Sequence, residues 1–105
     1  MTDAFVVLVT TPTPERAAEI ARAVVEERLA ACGNVVPGLR SIYRWKGKIE
    51  DEPEALLVLK TTRARFEALR ARVLALHPYE VPEVIGLHVE AGSAAYLAWI
   101  AAETT

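Results

Sequence analysis

Two stretches of this chain, Ala4-Phe5-Val6-Val7-Leu8-Val9-Thr10 and Ala55-Leu56-Leu57-Val58-Leu59, are apolar on both alternating faces. A strand wetted on one side alternates apolar with polar residues, and one covered on both sides does not. Both stretches are therefore predicted as central strands of a sheet. Between them the period changes: Ala17, Ile20, Ala21, Val24 and Leu29 recur at helical spacing. Thr13 is the expected N-cap, Pro14 the first helical residue, and Glu15 complements the positive end of the helix dipole. This helix is predicted to run to about Ala31, with Gly33 as its stop. Asn34 to Lys46 reads as a second strand, bulged at Pro37-Gly38, with Ser41, Tyr43 and Trp45 on one face and Ile42, Arg44 and Lys46 on the other. Gly47 turns the chain into a third strand, Lys48 to Thr61. Thr62 is predicted to cap a second helix whose stripe is Phe66, Leu69, Val73 and Leu76, and Pro78 ends it. Val84 to Val89 is the fourth strand. Ser93 then caps a short helix carrying Tyr96, Trp99 and Ile100.

The order β-α-β-β-α-β plus a helix is that of the α+β, ferredoxin-like split βαβ unit, in which the first and third strands lie mid-sheet. The two doubly apolar strands fit those places. Its two main helices cover one sheet face, and the short last helix is too small to cover the other. The remaining face is apolar as well, so further copies of the chain are expected to cover it.

Composition narrows the function classes. A chain of 105 residues, about half of them apolar, is expected to form one domain with a substantial core. A net charge of -2 gives no general attraction to nucleic acid, and the longest apolar runs have strand length, well short of the roughly 20 residues of a membrane span. No nucleic-acid or membrane partner is expected. The N-terminus shows no basic region or cleavage site, and the single cysteine, Cys32, has no internal disulfide partner, which suits a reducing cytosol. Glycine-rich phosphate loops, nucleophile elbows and H-E-x-x-H or C-x-x-C patterns do not occur, so no catalysis is expected.

Candidate chemistry gathers at His77-Pro78-Tyr79-Glu80-Val81-Pro82-Glu83. Each proline pushes the residue before it out of the helical region, giving a stiff connector that holds polar side chains in fixed directions. His77 is a metal-ligand candidate, although a structural place at the helix end is favoured about two to one, because no second His or Cys stands at ligand spacing. Glu80 and Glu83 hint at a hard cation. Lys60 either snorkels to the sheet edge or pairs with Glu83. Tyr43 and Trp45 line either a pocket or a packing surface. The acidic run Glu50 to Glu54 reads as a solvated rim. Cys32 reads as a small buried hydrophobe, and His88 as a residue on the face opposite Ile85, Leu87 and Val89, either outward or at an interface.

Five segments in order carry a resemblance: Glu27-Arg28-Leu29-Ala30-Ala31-Cys32, Ser41-Ile42-Tyr43-Arg44-Trp45-Lys46-Gly47, Leu59-Lys60-Thr61-Thr62, His77 to Glu83, and Tyr96-Leu97-Ala98-Trp99-Ile100. Together they resemble the CutA family of divalent cation tolerance proteins, from about Val6 to Ile100. The resemblance implies a ferredoxin-like fold, a homotrimer built like the PII signalling proteins, a bacterial cytoplasmic location and a link to heavy-metal tolerance, without an agreed reaction. It also places the long hairpin across a neighbouring subunit. Copper sites proposed in some members use a cysteine at the end of the first strand and two histidines before the proline. Here those places hold Val9, Leu76 and His77, one of the three. The combined expectation is a trimeric, non-catalytic binding module whose site lies between subunits around Tyr43, Trp45, Lys60, Tyr79 and Glu83. A copper or other divalent ion at His77 is the alternative.

Overall fold

The computed structural model describes residues 2–105. Its elements are β1 (Ala4–Thr11), α1 (Pro14–Glu26), β2 (Cys32–Trp45), β3 (Lys48–Thr62), α2 (Arg63–Leu76), β4 (Ile85–His88) and α3 (Ala94–Glu103). The sheet order is β2-β3-β1-β4 and every neighbouring pair is antiparallel. β1 and β3 are thus central, as their double apolarity requires. Val7, Val9, Leu57 and Leu59 point to one face and pack with Ile20 and Val24 of α1 and Leu69 and Val73 of α2 into the main core.

The first helix starts as expected: the Thr13 hydroxyl accepts a 3.1 Å hydrogen bond from the Arg16 amide. Its end differs. The helix stops at Glu26, where the Arg28 amide donates to Val25 O at 3.1 Å and the Leu29 amide to Val24 O at 2.9 Å. These two bonds form a Schellman end, with Arg28 at φ 59° in the left-handed position usually given to glycine. Leu29 still packs on the core, so its helical spacing is real although its backbone is not helical. Arg28→Gly is expected to raise stability by about 0.5–1 kcal/mol, since glycine enters this region without a Cβ penalty. The competing loss is an exposed Arg28–Glu103 pair at 3.6 Å, worth little. Urea unfolding that shows no gain would refute the estimate.

Gly33 therefore does not end the helix; it lies inside β2, paired with Leu59. A Cβ there would stand 2.8 Å from the Ala21 Cβ, so the absent side chain is what lets α1 lie down on this strand. Cys32, expected to be buried, is only partly so. Thr62 and Ser93 stand at the helix starts as predicted but make no side-chain cap. At α2 the Arg63 amide donates instead to Asp3 O at 2.8 Å, a backbone partner supplied by the residue just before β1.

The sheet face opposite α1 and α2 carries Val6, Leu8, Leu56 and Val58, with Val36, Ile85 and Leu87 exposed at its margins. Among the described residues only one end is roofed, where Ile100 of α3 packs on Ala4 and Ala31. Beyond the bulge between Val36 and Leu39, β2 and β3 continue as a two-stranded arm to a tight turn at Lys46 and Gly47, both at positive φ. The arm stretches the molecule to 44 Å against 25 and 22 Å in the other directions.

Candidate functional site

At the root of the arm, the connector after α2 closes one side of a cleft of about 630 Å³, a size typical of small-molecule sites. Ser41, Tyr43, Trp45 and Glu54 come from the arm, Thr10 from the end of β1, and Tyr79, Glu80 and Glu83 from the connector. The stiffness of the connector has a visible cause. The His77 ring, 8% exposed, lies 2.8 Å through Nε2 from Thr10 O, and its Nδ1 accepts the Tyr79 amide at 3.1 Å. An Nδ1 that accepts an amide proton leaves Nε2 as the protonated nitrogen, donating to the carbonyl. The ring also meets that of Tyr79 at a tilt of 49°, with centroids 4.7 Å apart. Both nitrogens of this metal-ligand candidate are thus held by backbone, and coordination would require breaking one of these bonds.

Tyr79 is aimed by a second contact, its hydroxyl donating to Glu54 Oε2 at 2.6 Å. Burial, then this hydrogen bond to Glu54, raises the Tyr79 pKa well above that of free tyrosine, so the hydroxyl stays a donor. Tyr43 is raised too, by desolvation and then by the charges of Glu52, Glu54 and Glu50. The cleft lies in a negative field.

Four of the five residues expected around an inter-subunit site, Tyr43, Trp45, Tyr79 and Glu83, line this cleft. Lys60 does not. It sits six residues along β3 from Glu54, roughly 20 Å away at strand rise, where its Nζ donates to Asn34 Oδ1 at 2.7 Å beside the Tyr96 ring. No Lys60–Glu83 pair forms within the chain, because the two residues lie toward opposite ends of the sheet. Glu54 is the residue that the sequence reading missed. Its acidic neighbours predict a solvated rim, yet it is only 8% exposed. The strand period carried the signal, since Glu54 shares a face with Leu56 and Val58 rather than with its acidic neighbour Asp51, which pairs outward with Arg40 at 2.7 Å.

The Glu83 carboxyl is raised above the usual 4.5, first by desolvation and then by the Glu54 charge. A folded-state pKa above the unfolded one means that the folded chain binds this proton more tightly. Stability is therefore lost as pH rises through that window. Glu83→Gln is expected to raise the melting temperature at pH 7 and to lose that advantage toward pH 4. A difference independent of pH would contradict this reading. The effect is modest, because Glu83 remains open to solvent on its outer side.

Residues 5–103 match the family model for the CutA1 divalent ion tolerance protein. The chain belongs to the CutA1 family. It is 54% identical over 99 residues to the divalent-cation tolerance protein CutA of Thermus thermophilus, covering 94% of this chain and 96% of that one. The mouse protein CutA is also 54% identical, over 88% of this chain, which spans 52% of the mouse protein's length. Among solved structures, CutA from Xylella fastidiosa superposes with a TM-score of 0.96 at 42% identity, covering 99% of this chain and 100% of that one. A structure described as the periplasmic divalent cation tolerance protein CutA from Archaeoglobus fulgidus gives 0.94 at 33% identity over 97% and 99% of the two chains. The ferredoxin-like fold and the CutA1 assignment read from the five segments are thereby shown. No helix among the described residues is long and apolar enough to cross a membrane.

Proposed function

We propose that this CutA1-family chain serves divalent cation tolerance as a self-assembling, non-catalytic binding module, a PII-like homotrimer with the arm-root cleft as its ligand site. The observation that carries the reading is the second sheet face, apolar across Val6, Leu8, Leu56 and Val58 yet roofed by α3 at one end only. A monomer would leave that surface in water. The two-stranded arm, which projects past the rest of the sheet and touches its own chain through the connector, supplies a matching reach. Light scattering at micromolar concentration is expected to give three times the 11.5 kDa chain mass, and a soluble monomer would refute the assembly.

The non-catalytic part is supported by how the reactive groups are used. The imidazole of His77 is tied to Thr10 and Tyr79, and the Cys32 thiol lies 3.9 Å from Asn34 Oδ1 and from the Tyr96 hydroxyl, neither of them a base. In this reading His77 is a latch on the connector rather than a copper ligand. Calorimetric titration with copper is expected to give the same heat for the wild type and His77→Ala; loss of heat in the variant would restore the metal role. The cytoplasm is the proposed location, on the strength of the unpaired Cys32 thiol.

A further inference from the structure

We propose that the arm-root cleft binds a small organic cation, a primary or quaternary ammonium, between the rings of Tyr43, Trp45 and Tyr79 and the carboxylates of Glu54, Glu80 and Glu83. The inference rests on the reading of this cleft as the ligand site and names the chemistry that it takes.

The lining contributes three carboxylates and three aromatic rings, without a lysine, arginine or histidine side chain. That combination repels anions. It suits a cation whose charge is spread over an apolar body, since ring faces attract such a group at centroid distances up to about 6 Å. The chain itself supplies a model of the occupant. The ammonium of Lys46 lies 5.5 Å from the Trp45 ring centroid and 3.6 Å from Glu80 Oε2, so two walls of the cleft already hold an alkylammonium at its mouth. Lys46 is 70% exposed there and held by one exposed ion pair on a flexible stem, which makes it readily displaced. Deeper in, Glu54 is fixed by the Tyr79 hydroxyl at 2.6 Å, a preorganised counter-charge.

The same geometry argues against a bare metal ion as occupant. Among the described residues no group of three or more His, Cys, Asp and Glu side chains converges closely enough to hold one. Direct coordination needs ligand atoms within about 2.0–2.6 Å of the ion. An aromatic cage works at twice that distance.

The test is a titration of the assembled protein in a Trp99→Phe background, where Trp45 is the only indole. Choline chloride is the probe, and 3,3-dimethylbutan-1-ol is its uncharged isostere. Choline is expected to change Trp45 emission saturably, with the isostere about tenfold weaker or more. Lys46→Ala, an exposed change, is expected to tighten choline binding by removing the tethered competitor. Glu54→Gln, checked for folding by circular dichroism, is expected to weaken it about tenfold. Equal binding of choline and the isostere, or weaker choline binding in Lys46→Ala, would overturn the cation assignment while leaving the cleft as a ligand site. No response to either compound would overturn both.

Discussion

Val58→Asp is expected to break the proposed trimer into monomers that keep their fold. Val58 stands at the middle of the sheet, opposite Leu8 of β1, on the face that α1 and α2 do not cover. It is only half-buried in the single chain, so an aspartate there keeps its water while the chain is alone. In an assembly the carboxylate would be sealed against apolar neighbours without a partner, a cost of several kcal/mol per copy. Each 1.4 kcal/mol is a factor of about ten in association, so dissociation at micromolar concentration follows. Sedimentation equilibrium measures the mass, and far-ultraviolet circular dichroism reports the fold. A variant that still sediments as an oligomer would place the subunit contact elsewhere.

Gly33→Val is expected to lower stability by about 3 kcal/mol or more, at the upper end of what overpacking costs. The new Cβ would meet the Ala21 Cβ at 2.8 Å and Leu59 Cδ2 at 3.0 Å, and two further methyl groups would have no space. A leucine tip can rotate away. The Cβ of Ala21 cannot move unless α1 lifts from the sheet, and that would open the core around Ile20 and Val24. Urea unfolding of the variant checks this, and a loss under 1 kcal/mol would show that the helix adjusts more easily than close packing implies.

Features written in local chemistry were legible before any coordinates. The doubly apolar β1 and β3, the Thr13 cap with Pro14, the bulge at Pro37-Gly38 and the turn at Gly47 each follow from one or two neighbouring residues, although the strand before the turn ends at Trp45 rather than Lys46. The misreadings had non-local causes. Arg28 takes the left-handed position that a reader assigns to glycine, and the nearby Gly33 drew the helix end toward itself because its real constraint, Ala21, is twelve residues away. Glu54 looked solvated among its acidic neighbours, and only the Tyr79 hydroxyl from across the cleft explains its burial. Lys60 and Glu83 were plausible partners by charge, but strand register separates them. Tyr43, Trp45, Tyr79 and Glu83 line one cleft, because strand ends and a proline-stiffened connector bring their aromatic and acidic side chains to one place.

The register of the arm also limits how its length can vary. Tyr43 and Trp45 reach the cleft only because their number of steps from the bulge and from the two-residue turn has the right parity. Inserting one residue into β2 between Leu39 and Tyr43 would swing both rings to the far side of the ribbon and present Ile42 and Arg44 in their place. Lengthening that preserves the lining must add residues in pairs, and on both strands together. Among relatives with longer or shorter arms, the differences are expected to be an even number of residues on each strand, equal on the two.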